Sequence, residues 1–384
     1  MRVGLITSEF PPDLGGVETY SWQLARELGR RNDLEVTVYA PPASAGIVMP
    51  DRVALKPIVT SCAGLDWAKL KKEPIDVWHA LSAAHSWIAL RDRPTVVSVH
   101  GNDFLTPYPL TARPALNLPL LWRWRSWAWR AFEPRWQEAT RRMLARSLPR
   151  CGTIIANSRY TAATLARMWP DCAARSRVGW VGVDPTFFDV ARTPRTGPPT
   201  LLTVARLSEP RKNVDLVLRA LATLKDRFAF QYVVTGDGTE RSRLVQLAAS
   251  LGLAPRVRFT GRVSTSDLHD LYSNADLFVL TASIVPGSHE GFGIVYLEAA
   301  AAGVPSLAAR LAGAAEAVGD GESGYFVEQP DVESVSKALA RFLSGDARFD
   351  PVRCRSFARR FGWSNVADLA EQSYRLASVP NFRP

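Results

Sequence analysis

The sequence predicts an α/β chain made of two doubly wound halves, each a parallel sheet wrapped by helices. Three observations carry this reading. Short β-type runs alternate with helical patterns along almost the whole chain, the alternation expected of parallel sheets. A stretch rich in Pro and Gly interrupts that alternation, which then starts afresh. The 384 residues exceed what one hydrophobic core usually supports and suit two domains.

The elements follow in order. A β-type run over Arg2–Thr7 leads into an amphipathic pattern over Glu18–Arg30, then strands are expected at Glu35–Tyr39, Val77–Ala80, Thr95–Val99, Thr153–Ala156 and Val178–Val181. The segment Asp184–Thr200 contains Pro185, Pro194, Gly197, Pro198 and Pro199, a composition that breaks both helix and strand. Beyond it, strands are expected at Thr200–Val204, Phe230–Thr235, Arg256–Thr260, Leu277–Leu280 and Pro305–Ala308. From Trp363 to Ala377, Val366, Leu369, Ala370, Tyr374 and Leu376 recur at mostly helical spacing, predicting an amphipathic terminal helix. The expected division is a first domain 1–185, a connector 186–199, a second domain 200–362 and a terminal segment 363–384 crossing back to the first domain. In open α/β sheets ligands bind outside the carboxyl ends of the strands, so two facing halves predict a ligand in the cleft between them.

Composition narrows the function. Apolar residues make up 47% and charged residues 22%, which excludes a disordered, collagen-like or disulfide-stapled chain. The net charge of +10 comes from 40 Arg and 7 Lys against 37 acids and favours anionic partners: nucleotides, lipid headgroups or nucleic acid. A GC-rich genome would also raise Arg over Lys. Cys62, Cys151, Cys172 and Cys354 stand far apart with no ligand spacing, predicting small core residues in a reducing compartment and no zinc site. The first apolar run is too short for a secretory leader and no stretch of 18 apolar residues occurs, so a cytoplasmic location is expected.

One segment departs from this average. Arg113–Arg150 holds nine arginines against two acids, interleaved with Trp122, Trp124, Trp127, Trp129, Phe132 and Trp136. Three readings are open on sequence alone: an amphipathic stretch lying on an anionic inner leaflet, a helical hairpin packing its indoles on the sheet, or stacking on single-stranded nucleic acid. The last is the least favoured.

Several motifs fall where such sheets keep their ligands. Gly15-Gly16 precede a helix, and adjacent glycines beside a helix N-terminus let backbone N–H groups approach a phosphate. His100-Gly101-Asn102-Asp103 ends a strand, and His donates or accepts near neutral pH. Arg206 and the Arg211-Lys212-Asn213 run flank the next helix start, where a planar fork and a point charge suit a diphosphate. The run His289-Glu290-Gly291-Phe292-Gly293 enters an apolar helix carrying Glu298, so its amides suit an anion or sugar hydroxyls. Glu290 and Glu298, eight residues apart, reach different parts of an elongated ligand. Each motif alone also fits a plain loop, solvated face or satisfied core residue.

Taken together, the order and spacing of these motifs, with Asn157-Ser158, Gly182-Val183-Asp184, Gly261-Arg262-Val263 and Gly321-Glu322-Ser323-Gly324-Tyr325, resemble the retaining sugar-nucleotide glycosyltransferases of the GT-B fold, the fourth sequence family, group 1 type. The resemblance spans nearly the whole chain and implies two facing Rossmann-like domains with an interdomain cleft. It implies that His100 approaches the donor sugar, that Glu290 and the amides of Gly291, Phe292 and Gly293 hold its hydroxyls, and that Glu298 binds the ribose. It further implies that Arg206 and Lys212 grip the diphosphate with help from Gly15 and Gly16, and that backbone near Val263 meets the base. Three departures stand out: the Arg206–Lys212 loop is one residue longer than usual, which makes Arg211 an alternative to Lys212. The familiar Lys-Gly is Lys212-Asn213, and Ser283–Ser288 is long.

The implied activity is a metal-independent retaining hexosyl transfer from a UDP- or GDP-sugar to a glycan or lipid-linked acceptor of surface polysaccharide or glycolipid, with no separate cofactor. Helix N-termini and cations stabilise the departing diphosphate, and no Asp-x-Asp motif appears. The resemblance also implies closure about the Pro194–Pro199 connector. Transfer to a small soluble aglycone, a non-catalytic nucleotide-sugar binder and a peripheral membrane protein remain as alternatives.

Overall fold

The computed structural model describes residues 1–12, 15–50, 52–60, 62–107, 134–192 and 196–378. It forms two compact units, residues 1–182 with the chain from Trp363 onward, and Val183–Gly362.

The first unit is built on seven strands: β1 (Arg2–Ile6), β2 (Glu35–Tyr39), β3 (Val53–Lys56), β4 (Val77–Ala80), β5 (Thr95–Val99), β6 (Thr153–Ala156) and β7 (Ser176–Val178). They pair in parallel in the order β3-β2-β1-β4-β5-β6-β7. β4, β5 and β6 are buried along their full length, as expected of a sheet covered on both faces. The helix Gly16–Gly29 begins two residues earlier than its amphipathic pattern, because Gly15 and Gly16 enter its first turn through Thr19 N–H donating to the Gly15 carbonyl. β7 ends at Val178, short of the expected Val181. Gly179 there lies against Ile155 and Leu369, and Gly182 against the Trp363 backbone, so the chain turns off the sheet edge to meet the terminal helix. That helix, Trp363–Ala377, buries Trp363, Val366, Ala367, Ala370 and Tyr374 in the first unit. Two exposed ion pairs, Arg31–Asp368 at 2.5 Å and Arg375–Asp33 at 2.6 Å, rim the contact and contribute little beside the buried area.

The second unit carries β8 (Thr200–Val204), β9 (Gln231–Thr235), β10 (Val257–Gly261), β11 (Leu277–Leu280), β12 (Ser306–Ala309) and β13 (Gly324–Val327) in the parallel order β10-β9-β8-β11-β12-β13. Before β8, the turn Pro185–Asp189 is capped by Asp184 and buries Phe187 edge-on to Tyr272. β3 and β13 are absent from the sequence reading. In each sheet the strand order reverses once, between β1 and β4 and between β8 and β11, and a reversal point is where a doubly wound sheet opens a ligand crevice at its carboxyl edge.

Of the Arg- and Trp-rich stretch, residues 108–133 lie outside the described residues, and with them Trp122, Trp124, Trp127, Trp129 and Phe132. Residues 134–147 are helical. Thr140, Leu144, Ser147 and Leu148 face inward, whereas Arg135, Trp136, Arg141, Arg142, Arg146 and Arg150 are exposed. Among the described residues no helix is long and apolar enough to cross a membrane.

Candidate active site

In the second unit the site grows from the loops that follow β8 and β11, the two strands at the reversal. Pro210 starts a single tight turn, Pro210–Lys212, and Asn213 closes it at φ 57°, ψ 33° before the helix Val214–Ala222. Asn is one of the few side chains that tolerate this left-handed region, which explains how Asn can stand where the resembled pattern has Gly. Its side-chain amide donates to the Thr281 carbonyl and to Ser283 Oγ, both at 2.7 Å, and Ser283 N–H donates to the Arg211 carbonyl at 2.8 Å. Those bonds lock the two loops together.

The lock delivers two cations to one carboxylate. Lys212 Nζ lies 2.5 Å and Arg211 Nη1 3.3 Å from Glu290 Oε2, while Arg211 Nη2 reaches Glu209 Oε2 at 2.5 Å. Two cations and two acids balance, as burial demands. Burial alone would raise the Glu290 pKa, but Lys212 first and Arg211 second outweigh it and hold the carboxyl down at about 2.

The main chain beyond Glu290 is equally constrained. Gly293 sits at φ +89°, and a Cβ there would stand 2.6 Å from the Tyr296 ring. Gly313 packs so tightly on the loop that a Cβ would meet the Gly291 carbonyl oxygen at 2.1 Å. Phe292 is buried in the core beside Phe361, so only its main chain is available to a ligand. Gly293 opens the helix Ile294–Ala301, whose first turn is pinned by Tyr296 Oη donating to the Leu280 carbonyl at 2.6 Å.

Glu298 lies inside that helix, 9% exposed, and accepts from Tyr272 Oη at 3.1 Å. Its pKa rises to about 7, chiefly through burial, with the Tyr272 bond opposing and the Asp184 charge adding. The two carboxylates of one loop and helix are thus tuned in opposite directions. Arg206 is exposed, beside Glu209 and Pro210 on the rim of a small recess. Val263 is half-buried in the turn after β10. Both share the carboxyl edge of the sheet with Lys212 and Glu290, the pair the structure joins directly.

In the first unit, His100 follows β5 and is held on three sides. Its Nε2 lies 3.0 Å from the Leu81 carbonyl oxygen, an acceptor, so Nε2 carries the hydrogen. Its backbone N–H donates to Asp103 Oδ1 at 2.9 Å, and the other oxygen of Asp103 accepts from Ala83 N–H at 2.8 Å. Asp103 therefore staples the ends of β4 and β5 together. Gly16, by contrast, is unconstrained: a Cβ there would meet nothing within 4 Å, and its φ is not positive.

Arg211, Glu209, Tyr272 and Asp103 are the residues of this arrangement whose roles the motifs leave unassigned. Arg211 was within reach as the extra cation of a lengthened loop. Tyr272 carries no such signal, since it reads as an apolar position of the helix Thr265–Ser273.

Family models described as "Glycosyl transferases group 1" and "Glycosyltransferase Family 4" match residues 186–361 and 14–187. The D-inositol 3-phosphate glycosyltransferase of Acidothermus cellulolyticus is 30% identical over 412 residues, covering 95% of this chain and 86% of that one. The GDP-mannose-dependent alpha-(1-6)-phosphatidylinositol monomannoside mannosyltransferase of Mycolicibacterium smegmatis is 29% identical, covering 91% and 90%. With two Rhodococcus relatives of the first description the match is shorter, covering 47% of this chain and 42% and 41% of theirs. The crystal structure of Anabaena Alr3699/HepE in complex with UDP and glucose superposes with a TM-score of 0.68 at 20% identity, over 96% of this chain and 98% of that one. Motif order, sheet topology and these matches agree: the chain belongs to the group 1 glycosyltransferases and has their GT-B fold of two Rossmann-like domains.

Proposed function

We propose that the protein transfers a hexosyl group, with retention, from a UDP- or GDP-sugar to a lipid-linked or glycan acceptor of glycolipid or surface polysaccharide. The observation that carries this is the buried Arg211–Lys212–Glu290 cluster at the mouth of a glycine-led helix on the sheet's carboxyl edge. Cations in that position neutralise the diphosphate as it departs. Both cations hold Glu290 Oε2, which suits Oε1 to accept from a hydroxyl of the sugar. Glu298 accepts from the ribose, Arg206 and the Gly15–Gly16 main chain contact the diphosphate, and main chain near Val263 meets the base. His100, with hydrogen on Nε2, serves the donor sugar. In the transfer step the C1–O bond to the diphosphate breaks, the C1–O bond to the acceptor forms on the same face, and the acceptor's proton passes to the departing phosphate oxygen, with no metal ion required. The relatives' names support a lipid acceptor: one is a phosphatidylinositol mannoside mannosyltransferase and uses GDP-mannose.

A panel of UDP- and GDP-sugars read by thermal shift identifies the donor, since a ligand bound only by the native state raises Tm. The same donor is then supplied with inositol-phosphate and lipid-linked acceptors. From an α-configured donor, an α-linked product by NMR supports the reading; a β-linked product, or donor binding with every acceptor refused, overturns it.

A second reading concerns location and is compatible with the first. The exposed face of helix 134–147, with Arg135, Arg141, Arg142 and Arg146 around Trp136, suits an anionic cytoplasmic leaflet. Salt-sensitive sedimentation with anionic but not neutral liposomes tests it, and equal retention by single-stranded oligonucleotides would sink it.

A further inference from the structure

A buried chain of polar side chains runs through the first unit beneath His100. Tyr374 Oη, on the terminal helix, is 2.7 Å from His79 Nδ1; His79 Nε2 is 2.8 Å from Ser98 Oγ; and Ser98 Oγ is 2.8 Å from Tyr20 Oη. All four side chains are at most 1% exposed. Burial, with His100 adding, holds the His79 pKa at about 3, so the ring is neutral and must donate through one nitrogen and accept through the other. The hydroxyls therefore align in one sense along the chain, and removing any of them leaves a buried partner unsatisfied.

Where the chain ends gives it a use. Tyr20 stands edge-on to the His100 ring, centroids 4.8 Å apart, and edge-on to Trp363 at 5.8 Å. It lies one turn into the helix that Gly15 and Gly16 open, while Ser98 is two residues before His100 on β5. Tyr20 is thus wedged between His100 and the terminal helix, and its hydroxyl is fixed through Ser98 and His79 to Tyr374 on that same helix. Hydrophobic packing alone does not require three consecutive polar links at this depth.

We propose that Tyr374 is a positioning residue: through His79, Ser98 and Tyr20 it fixes the orientation in which the His100 imidazole, its Nε2–H held by the Leu81 carbonyl, meets the donor sugar. This rests on the reading that His100 serves the donor sugar. It gives the terminal helix a part in turnover without any contact with substrate.

The test is Tyr374→Phe in the full chain, which keeps the ring and removes one hydroxyl. Turnover is expected to fall about tenfold, with KM for the donor sugar within about twofold. Tyr20→Phe should cost the same, and the double variant no more than either. Tyr325→Phe, which removes a buried hydroxyl bonded to the Ala338 carbonyl within the second unit, should lower Tm and leave kcat unchanged. In imidazole 1H–15N spectra the His100 Nε2–H resonance, set by its bond to the Leu81 carbonyl and by the Tyr20 ring beside it, is expected to shift and broaden in Tyr374→Phe, a readout independent of turnover. Wild-type kcat in Tyr374→Phe, or an unaltered His100 spectrum, overturns the proposal. Wild-type turnover in His100→Ala overturns instead the reading of His100 on which it stands.

Discussion

Lys212 Nζ donates to Glu290 Oε2 across 2.5 Å, with both side chains at or below 13% exposure. A buried pair adds little net stability while intact, but losing one partner strands the other charge, at a cost of about 3–5 kcal/mol. Arg211 shares Glu290 Oε2, so Lys212→Ala leaves that carboxylate one cation and should cost less than Glu290→Ala, which strands Lys212 and leaves Arg211 only Glu209. For turnover the order is different. Both variants should lose at least ~100-fold in kcat/KM, because each disturbs the cations that the proposed function sets against the departing diphosphate. Cys151→Ala, in the core of the first unit, should stay within about twofold. Denaturant melts and steady-state rates on the same preparations check both halves.

The pH dependence of this pair has a fixed sign. Glu290 falls from an ordinary 4.5 to about 2 on folding. Its contribution is fully present above pH 4.5 and is lost as pH falls through 2, amounting to about 3 kcal/mol at most. Subtracting Glu290→Gln from wild type should leave a stability difference that shrinks between pH 4.5 and 2 and is flat above. A difference flat across that window would show that Lys212 and Arg211 do not hold the carboxylate.

Glu298 behaves oppositely. Raised from 4.5 to about 7, it retains in the native state a proton that the unfolded chain has released. Stability relative to Glu298→Gln is therefore greatest below pH 4.5 and declines as pH rises through 7, again by about 3 kcal/mol at most. In the proposed role a ribose hydroxyl donates more strongly to the ionised carboxylate than to the protonated one, so donor affinity should rise through the same pH range. Calorimetry with UDP or GDP near pH 7, in two buffers of different ionisation enthalpy, should register more proton release per nucleotide in the wild type than in Glu298→Gln.

The doubly wound fold and the loops that carry the site were legible because both leave marks in sequence: strand-length apolar runs at regular intervals, and glycine or charge clusters just after them. Topology then adds what spacing cannot. The β8–β11 reversal brings Lys212 and Glu290 together although 78 residues separate them, and only the lock through Asn213 and Ser283 shows why Arg211 turns inward. Tyr272 was illegible for a physical reason: on a helix a tyrosine that hydrogen-bonds a buried carboxylate has the same apolar spacing as one that merely packs. The early end of β7 was missed likewise, since Gly179 is required by Ile155 on β6 together with Leu369, and Gly182 by the main chain and ring of Trp363, with Leu369 and Trp363 nearly two hundred positions away.

Gly16 separates fold from function most cleanly. Glycine at 293 is demanded by its positive φ and by the Tyr296 ring, so Gly293→Ala should destabilise the protein by about 1–3 kcal/mol whatever the ligand does. At position 16 neither demand exists: the residue lies in the first turn of a helix, with nothing within 4 Å of an added methyl. Alanine is the better helix former by up to about 1 kcal/mol, and less in a first turn, so Gly16→Ala should leave Tm unchanged or slightly raised. If main chain there approaches the diphosphate, the same methyl must collide with it, and donor KM should rise at least about tenfold while the fold stays intact. Thermal melts with and without UDP or GDP read both quantities at once: an unchanged melt without nucleotide and a diminished shift with it. A full nucleotide shift in Gly16→Ala would remove Gly16 from the donor site and leave its helix a purely structural element.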